Sequence, residues 1–220
     1  LLSFIFFLIY NILSAQPLQK GQAVVTFNVG PYAAKVIDVR LNSLACTGTN
    51  WDATYCPPGA PLIQPPTWTT ARMGAIFGIA IDDDNGDMFF AASPLLVDLS
   101  IPVTVSNVGI VFKAKGSTFA LSDFIVNNNT YGTYLGTNQI SNQQQGLGDI
   151  AYDPTHDQLF TTNLLDGKIY RITGLNNPTG TVASVYDPFA ADPGNATYPV
   201  GAQQRCWGIG VNRDNDGVTR

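Results

Sequence analysis

Glutamate is absent from this chain: all sixteen acidic side chains are aspartate. Glutamate suits helix interiors, whereas aspartate bonds its own main chain in turns and caps. No long segment carries apolar residues at helical spacing, which excludes a helical bundle. There is a single histidine, His156, and the three cysteines are not spaced as a zinc pair, so no zinc signature can be assembled. G-x-S-x-G and P-loop patterns are missing too. Cations are few against the aspartates; the net charge of −5 makes nucleic acid an unsuitable partner.

What is abundant points one way. The 21 glycines and 14 prolines are turn formers, and the apolar runs between them are short. The composition is that of an all-β protein.

The chain starts "LLSFIFFLIYNILSAQPLQ". Leu1 to Leu13 is apolar but short for a bilayer span, and Ser14-Ala15 is a small-residue cleavage site. Residues 1–15 are therefore expected to be a secretory signal peptide lacking its charged start, with Gln16 first after cleavage and no membrane span left. A truncated membrane anchor is the competing reading. The "SAQ" junction resembles the leaders of secreted Bacteroidota proteins. The expected location is secreted or cell-surface, the periplasm included. About 200 residues follow the leader, enough for one sizeable core. In an exported chain, Cys46 and Cys56, which flank the loop-like "TGTNWDATY", are expected to form a disulfide. Cys206 is left over.

Three segments align without a gap: "GIAIDDDNGDMFFAA" from Gly78, "DIAYDPTHDQLFTTN" from Asp149 and "GIGVNRDNDGVTR" from Gly208. In each, a short apolar run ends in Asp or Asn, a polar turn follows, and a second run starts at Met88, Leu159 or Val218. Such turns are hairpin connections, since Asp, Asn and Gly tolerate left-handed backbone. Downstream, "GIVFKA" from Gly109 matches "GKIYRI" from Gly167, and "STFALSDFI" matches "TGTVASVYD". Each unit reads as four strands. In the first strands Gly78, Ala80, Ala151, Gly208 and Gly210 share one small face, which suits strands crowded about an axis.

Four-stranded units with crowded first strands predict a β-propeller. A β-sandwich would have short strands without needing gapless repetition. About two full blades are expected, at 77–147 and 148–206, with the start of a third at 207–220. Residues 16–76 would supply N-terminal strands and the Cys loop, part of a closing blade. With no initiator Met and half a unit at the end, the chain is expected to be a fragment. The copies lie further apart than compact blades of about 40–50 residues. Long loops between them account for the excess, and such loops often carry binding.

On "GLGDIAYDPTHDQLFTTNLLDGKIYRI", Gly146 to Ile172, and its weaker copy from Phe77, the chain resembles secreted NHL and regucalcin-like (gluconolactonase-type) propellers. The resemblance covers 77–220 and implies a six- or seven-bladed ring. Regucalcin-like enzymes hold a divalent metal with Glu, Asn and Asp; no Glu is present here. Asn163 stands where such families often carry a polar residue, while its aligned counterpart is Ala92.

No cofactor is predicted from the sequence. The one candidate ion is calcium, at Asn212, Asp214 and Asp216 of "NRDNDG", whose alternate oxygens precede a glycine as in the first half of a calcium loop. A plain hairpin turn is the competing reading, as it is for Asp82, Asp83, Asp84 and Asp87. His156 reads as a turn residue, because no nucleophile pairs with it. Trp51, Tyr55, Trp68, Tyr131, Tyr134 and Tyr198 are either packing anchors or stacking platforms for a ligand. "NNT" at Asn128 and "NAT" at Asn195 are sequons for a glycosylating host. The expected function is a binding and adhesion scaffold, with a protein or carbohydrate partner at the cell surface. A metal-dependent hydrolase of the lactonase type is the alternative.

Overall fold

The computed structural model describes residues 18, 21–27, 31–38, 62–94, 108–128, 130, 134–142, 145–189 and 205–212. Within them the chain is all-β. Twelve strands form three sheets, and one short helix, α1 (Thr70–Met73), starts at the Thr69 cap, whose hydroxyl accepts from Arg72 N–H.

The first sheet holds β1 (Gln22–Thr26), β2 (Ala34–Asp38) and β3 (Leu62–Ile63), antiparallel in chain order. The second runs β4 (Ile76–Ile81), β5 (Met88–Ala92), β6 (Val111–Ala114) and β7 (Leu121–Asn128) as an antiparallel meander. A fifth strand, β8 (Gln139–Ser141), lies parallel to β7. The third sheet is a second meander of β9 (Leu147–Asp153), β10 (Gln158–Asn163), β11 (Ile169–Thr173) and β12 (Thr181–Tyr186). The two meanders share their registers. Ile81 faces Met88 as Tyr152 faces Leu159, and Lys113 faces Ser122 as Arg171 faces Ser184.

The sheets stack face to face in chain order, and strand alternation explains how. Side chains on β5 point alternately to opposite faces. Met88 and Phe90 pack with Val36, Trp68 and Met73 toward the first sheet. Phe89 and Ala91 pack with Ile150, Leu159 and Tyr170 toward the third. Every residue of β5 is consequently buried. Each large side chain so buried stabilises by about 1.5–3 kcal/mol. A slip of one residue would exchange the two cores, which fixes the register.

The first strands of the two meanders lie side by side. A Cβ added at Gly78 would sit 2.7 Å from the main-chain nitrogen of Ile150, so only glycine fits there. None of the three sheets is closed.

Two local outcomes depart from the sequence reading. The long segment between β7 and β9 contains β8, an added strand. Residues 205–212, expected to begin another strand, pair with no strand among the described residues. They are held against β9 by the Asp149 N–H bond to the Trp207 carbonyl, and the Trp207 ring leans on Phe77 of β4.

Candidate functional site

The aspartate turns come first. Asp82 Oδ1 accepts from Asp84 N–H at 3.0 Å, and Asp153 Oδ1 accepts from Thr155 N–H at 2.9 Å. Both turns thus close with the same side-chain-to-main-chain bond, the reason Asp rather than Glu stands there. Both carboxylates are buried. Tyr152 is held well above the usual phenol range, chiefly by burial and also by the neighbouring Asp82 charge. Asp153 Oδ2 is bonded to His156 Nδ1 at 2.7 Å and accepts from Gln158 Nε2 at 2.8 Å. His156 is therefore a turn residue anchored to its own hairpin. Burial, with the nearby Asp82 charge, raises the Asp157 carboxyl, against the pull of Lys113.

Asn163 is buried and committed to the fold. Its Oδ1 accepts from Leu165 N–H and from Asn142 Nδ2, while its own Nδ2 donates to the Ser141 carbonyl. This network ties β8 to β10.

A cleft of about 470 Å³ opens on the outer face of the third sheet. Phe160, Ile169 and Tyr186 line it from the sheet, and Ile209 and Val211 line it from the last described segment. Its polar side is a chain of bonds. Arg171 Nε donates to Ser184 Oγ at 2.9 Å, Arg171 Nη1 donates to Gln158 Oε1 at 3.3 Å, and Gln158 reaches Asp153. Tyr186 remains 64% exposed at the rim. An apolar floor with one cation and hydrogen-bonding amide and hydroxyl groups can hold a partner by area and orient it by polarity. On that polar side Ser184 accepts from Arg171, and His156 is bonded to Asp153.

The cleft was not singled out by sequence. The signal lay in the alignment of Lys113 with Arg171 and of Asp87 with Gln158, positions that the second sheet also brings together: Lys113 Nζ lies 2.9 Å from Asp87 Oδ2.

Of the predicted calcium residues, Asn212 is described and exposed, whereas Asp214 and Asp216 lie outside the described residues. So do Cys46 and Cys56, the signal segment 1–15, Trp51, Tyr55, Tyr131 and Tyr198. Cys206 is a free thiol whose pKa is raised, chiefly by burial and also by Asp187. Trp68 is a packing anchor. It is fully buried, edge-on to Phe90 and Phe119, and donates Nε1–H to the Phe119 carbonyl. Among the described residues, no three His, Cys, Asp or Glu side chains gather as a metal group, and no helix is long and apolar enough to cross a membrane.

Comparison with protein-family models, with curated proteins and with solved structures returns no match.

Proposed function

We propose that the chain is built of β-propeller blades and serves as a secreted or surface-displayed binding and adhesion scaffold. The stacking of the sheets supports the propeller reading. Two four-stranded meanders follow one another face to face, with first strands adjacent, and the Phe77–Trp207 contact brings the next segment toward the same line. Blades around an axis have this relation.

One observation carries the scaffold reading. The polar side chains that a lactonase-type metal site would draw on, Asn163 and the turn aspartates, are bonded within the fold. The segments between the strands are long by contrast, notably from Ala92 to Val111 and from Asn128 to Gln139. Long loops on a rigid support are where binding resides. A protein or a carbohydrate at the cell surface is the proposed ligand, with Tyr131 and Tyr134 as contacts in the second of these segments.

The test uses the protein secreted with its own leader. Its mature form should begin at Gln16, and mass spectrometry should find Cys46 and Cys56 joined. The purified protein is then applied to arrays of glycans and extracellular proteins. Binding that weakens with Tyr131→Ala and Tyr134→Ala is expected. Chelator-sensitive lactone hydrolysis without array binding would overturn the scaffold in favour of the hydrolase.

A further inference from the structure

The second and third sheets place four aligned side chains on the same face. On the second sheet these are Phe89, Asp87, Lys113 and Phe124; on the third they are Phe160, Gln158, Arg171 and Tyr186. The fates of the two faces differ. Phe89 and Phe124 are fully buried, 5.2 Å apart between ring centroids, because the third sheet covers them. Lys113 reaches across that interface and donates to the Leu175 carbonyl, in the turn that joins β11 and β12. Phe160 is half-buried, Tyr186 is exposed, and Arg171 has its bonds within its own sheet.

What lies on the third sheet's face has a precedent in the same molecule. Ile150 and Tyr152 of β9 pack against the second sheet's face, and Leu159 joins them from β10. The residues aligned with Ile150 and Tyr152 are Ile209 and Val211, and both line the cleft on the third sheet. The main chain of this segment is also seated on β9: Gly148 abuts the carbonyls of Cys206 and Trp207, and Asp149 N–H donates to the Trp207 carbonyl. The residue aligned with Leu159 is Val218.

We propose that the cleft is the docking face for the third copy of the repeat in this same chain. Val218, which aligns with Leu159, is the apolar residue proposed to cover Phe160 and Tyr186. The inference rests on the propeller reading for the arrangement of sheets and adds to it the occupant of one face. Continuity is the physical argument, since the first residues of that copy are already seated and shield part of the apolar floor. An aromatic pair with a cation beside it is left to be covered, and exposed apolar area of this kind marks an interface.

Nitration of tyrosines by tetranitromethane tests this on the full-length secreted protein. Tyr186 should resist nitration while Tyr134 reacts, and Val218→Asp should abolish the protection of Tyr186 alone. A second measurement does not depend on that variant folding. Tyr186→Cys labelled with a benzophenone should cross-link within its own chain to the peptide that contains Val218. Nitration of Tyr186 at the rate of Tyr134, or cross-links between chains that vanish on dilution, would overturn the proposal. Negative-stain images of the same sample separate the two readings: a ring with a reactive Tyr186 sinks the docking proposal only, and a particle without a ring sinks the propeller.

Discussion

Lys113 Nζ lies 2.9 Å from Asp87 Oδ2 between the second and third sheets, with both side chains almost fully buried. Asp87 Oδ1 accepts from Gly116 N–H, so the carboxylate is satisfied on both oxygens. The ammonium group also lies within 6 Å of the Phe89 and Phe124 ring centroids, at 5.7 and 5.6 Å. Removing one partner of such a pair leaves an uncompensated charge, while removing both is far less costly. Asp87→Ala should therefore destabilise by about 3–5 kcal/mol. Adding Lys113→Met should recover part of that loss. Denaturant unfolding of the two single variants and the double variant measures the coupling, and strict additivity would show that the pair does not act as a unit.

The approach of β4 to β9 yields a second prediction. A methyl group at Gly78 would meet main-chain atoms of Asp149 and Ile150 at 2.9 and 2.7 Å. Backbone cannot swing aside as a flexible side chain can, so the two strands must separate. Gly78→Ala should cost about 1–3 kcal/mol through overpacking, and Gly78→Val more. Thermal unfolding of both variants checks the order, and a neutral Gly78→Val would mean that the strands are not in contact.

Much of this arrangement was legible in the sequence because strand alternation and turn chemistry are local. Asp82 and Asp153 align, and each closes its hairpin with the same bond. The small residues Gly78 and Ala80 belong to the crowded, buried side of β4. The strand β8 was not legible. Gln139–Ser141 is three residues long and pairs in parallel with β7, so neither length nor alternation marks it. The cleft was hidden for another reason. Phe160, Ile169 and Tyr186 come together only across neighbouring strands, and the first and last of them are far apart in the chain.

Calcium distinguishes ion binding from turn formation. Asp82 accepts from Asp84 N–H, and Asp87 is bonded to Lys113 and to Gly116 N–H. These oxygens are engaged without an ion. Millimolar calcium should leave the thermal midpoint nearly unchanged. A site half-saturated at micromolar calcium would instead add about 4 kcal/mol at a thousandfold excess. For a chain of this length that is a rise on the order of 10 °C. Such a rise, abolished by Asp214→Ala with Asp216→Ala, would place calcium at "NRDNDG".

Asp166 supplies a test of pH dependence. It opens the turn into β11, where its Oδ1 accepts from Lys168 N–H and its Oδ2 accepts the Tyr170 hydroxyl bond at 2.6 Å. These bonds and the Lys168 charge favour the carboxylate, but burial outweighs them and raises its pKa above the ordinary 3.8. The folded state therefore holds this proton more tightly than the unfolded chain does. The stability that follows is complete below the unfolded pKa and is lost as pH rises through the folded one. Asp166→Asn removes the titration, so wild type minus variant should fall as pH rises from below the ordinary value into the weakly acidic range. Tyr170→Phe deletes a bond that favours the charged form, raises the Asp166 pKa further, and should steepen the fall. The comparison cancels the other aspartates, which titrate alike in both proteins. Unfolding free energies measured in parallel across that range decide the matter, and parallel curves for wild type and Asp166→Asn would show that burial does not govern this carboxyl.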